Sequence, residues 1–183
     1  MIDLISLEKS FVAPHLKKGG VAVDFTMGNG HDTLYLSDSI GIEGKVYAFD
    51  IQKIAVDSTR ALLQKEALYN NYTLICDSHA NIEQYVKEPI CVGIFNLGYL
   101  PGGDKSITTM RASTLAAVNA GINLLGNDAI LLIAVYPGHA EGTAEGEMLI
   151  SHLQTLDRKI YCVGCFKIIN SPSSPFFISI EKK

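Results

Sequence analysis

Apolar runs of strand length alternate with segments of helical period along most of this chain, and that alternation constrains the fold more than any single motif. The strand-like runs are VAVDF at 21–25, KVYAFD at 45–50, YTLIC at 72–76, ICVGIF at 90–95 and AILLIAVY at 129–136. An amphipathic first helix covers roughly 3–16, and helical stretches follow near 31–39, 52–68, 80–87, 107–125 and 141–156. Strands connected through helices lie parallel, so the pattern implies a parallel sheet with helices on both faces. The ending breaks the rhythm. RKIYCVGCFKIIN and PFFISIEKK are joined only by SPSSP. A parallel crossover needs about a dozen residues, so this short link implies an antiparallel pair.

A chain of 183 residues suits one well-packed domain, here taken as residues 1–183 with a lead-in helix over 1–20. No apolar run reaches the roughly 20 residues that a membrane-spanning helix needs. The N-terminal stretch has neither a basic start nor a sustained apolar core, so a cytoplasmic location is expected. Cys76, Cys91, Cys162 and Cys165 read as reduced, mostly buried thiols. The CVGC pair lies in a strand-like run that points its members to opposite faces, so no metal site is expected. A net charge of −4 excludes a protein coated in positive charge, but it leaves room for a local basic patch. Lys17, Lys18, Lys53, Lys105 and Arg111 could line such a patch, or could be ordinary solvated side chains.

Ligands of open α/β sheets bind beyond the carboxyl ends of the strands, so the loops after each strand carry the chemistry. The first is VAVDFTMGNGHDT. Gly28 and Gly30 let the backbone turn sharply and approach a ligand. A dinucleotide site would place a third glycine three residues later, where Thr33 stands. S-adenosylmethionine has no pyrophosphate and tolerates that departure. Asp24, Asn29 and Asp32 could meet its ammonium group, directly or through water; Asp32 could equally serve as a first-turn acid favoured by the helix dipole. Asp50 ends the second strand, about 20 residues past the turn, where a carboxylate accepts from both ribose hydroxyls, with Gln52 beside it. Asp77 opens the third loop with Ser78 and His79; it is placed to accept from an adenine amino group or to cap the next helix.

The fourth loop, NLGYLPGGDKS, resembles the Asn-Pro-Pro-Tyr loop of methyltransferases that act on amino nitrogens, with Leu97 and Gly98 in place of the prolines. The Asn96 amide oxygen, close enough to the donor to count among its contacts, would accept a hydrogen bond from the target amine and aim its lone pair. Tyr99 offers a face on which a base could stack, and Leu97, Gly98, Leu100 and Pro101 would complete the acceptor surface. A purely structural turn is the alternative. The fifth loop brings Tyr136, His139 and Glu145 over the same edge. An aliphatic amine must lose a proton before it reacts, and His139 or His79 could take it.

Together the motifs DFTMGNGHDT, AFDIQ, DSHAN, FNLGYLPGGDKSITT, YPGHAEGTAE and SPSSPFFISIEK resemble a compact bacterial methyltransferase family known as Putative rRNA methylase. The resemblance covers nearly all of residues 21–183. It departs at Phe25, where a small residue is commoner, and at Ser173-Ser174, where the family is richer in proline. The resemblance implies a Rossmann-like class I fold with a seven-stranded, mostly parallel sheet and an antiparallel C-terminal strand. It further implies S-adenosylmethionine as cofactor, a tRNA anticodon loop as partner, and methylation of the aminomethyl nitrogen of 5-aminomethyl-2-thiouridine at the wobble position. Rival readings are an rRNA or small-amine methyltransferase, an NAD-dependent oxidoreductase, and a module that binds the donor without catalysis. The first helix could cap the sheet or join a second copy, so a homodimer stays open.

Overall fold

The computed structural model describes residues 3–103, 108–138, 140–171 and 173–183. Seven strands form a single sheet: β1 (Val21–Asp24), β2 (Lys45–Asp50), β3 (Tyr72–Cys76), β4 (Ile90–Leu97), β5 (Leu125–Val135), β6 (Tyr161–Phe166) and β7 (Phe176–Lys182). Their order is β3-β2-β1-β4-β5-β7-β6. The first five run parallel, and β7 inserts antiparallel between β5 and β6. Strand order therefore reverses between β1 and β4, which opens a crevice above their carboxyl ends.

Helices cover both faces. α1 (Leu4–Val12), α2 (His31–Ile40) and α3 (Lys53–Glu66) lie on one; α4 (Ile82–Tyr85), α5 (Arg111–Leu124) and α6 (Ala140–Leu153) lie on the other. α1 caps the sheet: Val12 is buried with Ile130, Leu132 and Phe177, and Phe11 meets the rings of Phe166 and Phe177 edge-on. The expected elements are present, with shifts that have local causes. The segment near 80–87 is a 3-10 turn (His79–Asn81) followed by the single turn of α4. β5 begins four residues before the expected start, because Leu125–Asp128 is taken into the strand as a bulge. The register slips there between Ile90 and Val92, and Asp128 takes φ 57°.

Phe25 is accommodated by its neighbours. Its ring stacks on Phe95 at 3.9 Å between centroids, and the room comes from Gly93, where a Cβ would stand 2.4 Å from Leu131 and 2.9 Å from Phe25. The cysteines correct an expectation. Only Cys91 is buried; Cys76, Cys162 and Cys165 are exposed, because β3 and β6 are the edge strands of the sheet and β6 is open on both faces. All four thiols are free. Among the described residues no helix is long and apolar enough to cross a membrane.

Candidate active site

The glycine turn follows β1 directly, and its shape is set by a buried carboxylate. Asp24 is 0% exposed. Its oxygens accept from the Thr26 backbone N–H at 3.1 Å and from Thr33 Oγ1 at 2.6 Å. Thr33 thus has a use that glycine could not supply: from the first turn of α2 it ties the helix to the end of β1. Burial first, then the nearby Asp32 carboxylate, pushes Asp24 from 3.8 up to about 7. A carboxylate this enclosed does not reach a ligand, which corrects the expectation of a direct contact from Asp24. Gly30 sits at φ 88°, and a Cβ there would stand 2.9 Å from the Thr59 side chain, so both conformation and space require glycine.

Asp50 braces the turn from β2. Its oxygens accept from Gly28 N at 3.1 Å and Gln52 N at 2.9 Å. The side chain is half-buried at the crevice, so its carboxylate could still meet ribose hydroxyls. Burial holds its pKa above the ordinary value. Gly28 has φ 49°, with Leu100 Cδ1 at 3.5 Å and Thr26 O at 3.8 Å nearest the place of a Cβ. Such a turn, with an acceptor carboxylate one strand away and no crowding above it, fits the ribose and aminoacyl parts of S-adenosylmethionine. Asn29 links the first and fourth loops by donating Nδ2 to Pro101 O at 3.4 Å.

The third loop is more self-contained. Asp77 accepts from Ser78 N, Asn81 Nδ2 and Tyr85 Oη, contacts that hold its pKa low, the Tyr85 hydroxyl foremost. Ser78 caps the 3-10 turn by accepting from Ala80 N. His79 packs beneath the crevice with Nδ1 3.1 Å from Phe25 O, while Nε2 is sealed from solvent and has no partner among the described residues. Burial lowers its pKa. A ring so enclosed does not meet a substrate proton, which corrects the expectation of His79 as base. His139 lies outside the described residues.

The acceptor side is built at the ends of β4 and β5. Alternation along β4 sends Ile94 and Asn96 toward α1 and α2, and Phe95 and Leu97 toward α5. Leu97 is 1% exposed in the core, so it does not line a substrate surface as expected. Asn96 N donates to Thr26 Oγ1 at 2.7 Å, and its Nδ2 donates to Asp32 Oδ2 at 2.7 Å. Among the described residues, no hydrogen bond ends on Asn96 Oδ1. Gly98 follows at φ 140° with open space around it, and Tyr99 bridges to Thr108 with its side chain 41% exposed.

Glu145 holds this loop from behind. It is fully buried on α6 and accepts from Thr109 Oγ1 at 2.8 Å and Thr114 Oγ1 at 2.5 Å; Thr109 in turn exchanges hydrogen bonds with Gly98. The expected substrate contact from Glu145 is replaced by bracing. Tyr136 stands on the rim, its pKa raised by burial and then by the charges of Glu8 and Asp32.

Glu8 is the residue that sequence reasoning missed. Together with Lys9, Asp32, Ile94 and Leu132 it lines a narrow cavity of about 10 Å³, with room for about one water. Burial, then the Asp32 carboxylate, pushes Glu8 from 4.5 to about 7. A signal existed: Glu8 falls between Leu4 and Val12 at four-residue spacing, on the apolar stripe of α1. The candidate basic residues divide by position. Lys17 and Lys18 precede β1 and so lie at the opposite edge of the sheet; Lys17 pairs with Asp128, Lys53 with Asp57 and Arg111 with Glu141. Lys105 lies outside the described residues.

Comparison with known proteins gives this geometry a lineage. Residues 46–182 match the family described as Putative rRNA methylase. The chloroplastic tRNA (mnm5s2U34)-methyltransferase of Arabidopsis thaliana is 36% identical over 92% of this chain; the chain spans 65% of that longer protein. A crystal structure of a "putative rRNA-methylase" from Clostridium thermocellum is 34% identical, with a TM-score of 0.96 over 100% of this chain and 99% of that one. A "putative methyltransferase" from Streptococcus mutans, solved in complex with S-adenosylhomocysteine, is 37% identical, with a TM-score of 0.90 over 100% and 99% of the two chains. The chain belongs to the Putative rRNA methylase family and is a class I methyltransferase, the enzyme class that takes its methyl group from S-adenosylmethionine.

Proposed function

We propose that this protein methylates RNA at an aliphatic amine, the aminomethyl nitrogen of 5-aminomethyl-2-thiouridine at the wobble position, with a tRNA anticodon loop as its partner. The observation that carries the reading is the Asn96 amide, whose Nδ2 is held by Asp32 and whose Oδ1 accepts no hydrogen bond among the described residues. An open carbonyl at the sheet edge accepts one N–H of an amine and so aims the lone pair along the line of attack. The name of the Arabidopsis relative supports the wobble substrate.

The Gly28–Gly30 turn, Asn29, Asp50 and Gln52 would hold the donor, with the third loop of Asp77 and Ser78 at the adenine end. S-adenosylmethionine supplies a methyl group on a positively charged sulfur. Tyr99, Leu100 and Pro101 would present a flat and apolar surface to a splayed-out base, the way single-stranded RNA is commonly read. The acceptor arrives largely as an ammonium ion, and the carboxylates of Glu8 and Asp32 favour that charge, with Lys9 on the same cavity opposing them. A carboxyl held at about 7, like that of Glu8, exchanges a proton near neutral pH and can take the one the nitrogen releases.

The test uses methyl-labelled donor with separately purified tRNA, rRNA and small-metabolite pools. Label is expected in tRNA, at the wobble nucleoside, and absent from tRNA whose wobble uridine lacks the aminomethyl group. Label confined to rRNA or to metabolites overturns the proposal.

A further inference from the structure

The amide of Asn96 has two chemically different ends on a symmetrical frame, so something must decide which end faces the acceptor. Asp32 stands on one side. A carboxylate accepts hydrogen bonds and does not donate them, so the 2.7 Å contact from Asn96 Nδ2 to Asp32 Oδ2 can form with only one orientation of the amide. The backbone N–H of Asn96 is fixed separately on Thr26 Oγ1 at 2.7 Å, but that bond leaves the side chain its rotational freedom. Asp32 removes it.

We infer that Asp32 is a positioning residue for methyl transfer, and that its carboxylate commits the Asn96 carbonyl oxygen to the acceptor nitrogen. The inference rests on the reading of Asn96 given above and changes the role of Asp32 from donor binding to acceptor alignment. The placement of Asp32 explains how one residue serves this end. As the second residue of α2 it is favoured by the helix dipole. Its neighbour Thr33 fastens the same turn to buried Asp24. The carboxylate is thereby carried on a rigid element and not on a loop. An amide with its ends reversed would offer N–H groups, which repel an ammonium ion and donate to the lone pair of a neutral amine, so orientation here decides whether the attacking lone pair is aimed or blocked.

The isosteric variant Asp32→Asn presents an amide in place of the carboxylate and can satisfy either orientation of Asn96. Its kcat is expected to fall about 10- to 100-fold, the scale of losing one hydrogen bond to a charged group, while the dissociation constant for S-adenosylmethionine stays within about threefold. The exchanged pair Asp32→Asn with Asn96→Asp restores a donor facing an acceptor, with one carboxylate oxygen left open. It is expected to turn over at least about tenfold faster than Asn96→Asp alone, a coupling that a merely structural role would not produce. A third reading needs no substrate: the Asn96 side-chain amide protons, followed by NMR on 15N-labelled protein, should exchange slowly in the wild type and rapidly in Asp32→Asn.

Absence of turnover by the wild type on wobble-uridine tRNA would refute the substrate reading, while the exchange measurement would still decide the orientation. Unchanged side-chain exchange in Asp32→Asn overturns the inference. So does a loss of donor affinity larger than the loss in kcat, or an exchanged pair no faster than Asn96→Asp.

Discussion

On the β1–β2 side of the site, Asp24 and Asp50 each give an oxygen to a backbone amide of the glycine turn, whereas on the β4–β5 side Asn96 keeps its carbonyl oxygen open. The first region is a brace: its polar groups point at one another and fix the backbone before any ligand arrives. The second is a half-finished hydrogen-bond set, complete on the Asp32 side and waiting on the other. Pre-formed backbone suits a donor that is the same at every turnover. Open acceptors suit a partner whose nitrogen must be aimed afresh each time. If this division is real, damage on the two sides should separate in what it changes.

The effect of broadest reach belongs to the brace, where donor binding and stability fall together. Gly30→Val places a branched side chain at φ 88° against Thr59, at a cost of about 1–3 kcal/mol for the backbone alone. Donor affinity measured by calorimetry should fall at least about tenfold, and melting should shift downward. A variant with wild-type donor affinity would mean that the turn is not rigid and would erase the contrast.

An effect confined to the acceptor is expected on the open side. Tyr99→Ala removes an exposed ring from the acceptor loop. A lost stacking contact amounts to about 1–3 kcal/mol, so KM for the RNA should rise by about ten- to a hundredfold at unchanged donor affinity. Tyr99→Phe should keep most of the affinity. Equal losses in both variants would assign the hydroxyl, not the ring face, to binding.

The third effect is a change of slope. Asp24 carries a pKa of about 7 in the folded chain against 3.8 ordinarily. Folding therefore takes up a proton between those values. The associated stability is fully present below about pH 4 and is lost as pH rises toward 7. Asp24→Asn, which can still pair with Thr33, removes that dependence. The stability of the wild type relative to the variant should decline from pH 4 to pH 7 in denaturant titrations. A constant difference across that window would show that Asp24 is not held protonated by burial.

The same contrast explains what could be read from the residues. Strand positions and the glycine turn were legible because they depend on local rules, period and φ. The antiparallel ending was legible because SPSSP is too short to cross the sheet. The acceptor side was legible only as far as Asn96 and Tyr99, which sit in one contiguous loop. Its supports come from distant segments: Asp32 on α2, Glu8 on α1 and Glu145 on α6. Glu145 resembled a loop residue facing substrate, yet α6 begins at Ala140 and turns it inward onto Thr109 and Thr114. Leu97 resembled part of the acceptor surface, yet β4 runs two residues past Phe95, and alternation sends its side chain into the core. Glu8 required knowing that α1 packs over the carboxyl half of β4 and β5. Long-range placement of this kind depends on tertiary packing, and spacing along the chain does not encode it plainly.

The most direct test of the account is Asn96→Ala, with turnover and donor affinity measured on the same preparation. The account predicts that methyl transfer to wobble-uridine tRNA falls by at least about a hundredfold, the scale of misplacing a reacting group, while S-adenosylmethionine binds as in the wild type. Turnover that survives the substitution would show that the nitrogen is aimed by something other than the Asn96 carbonyl, and the division between the two sides of the site would fail with it.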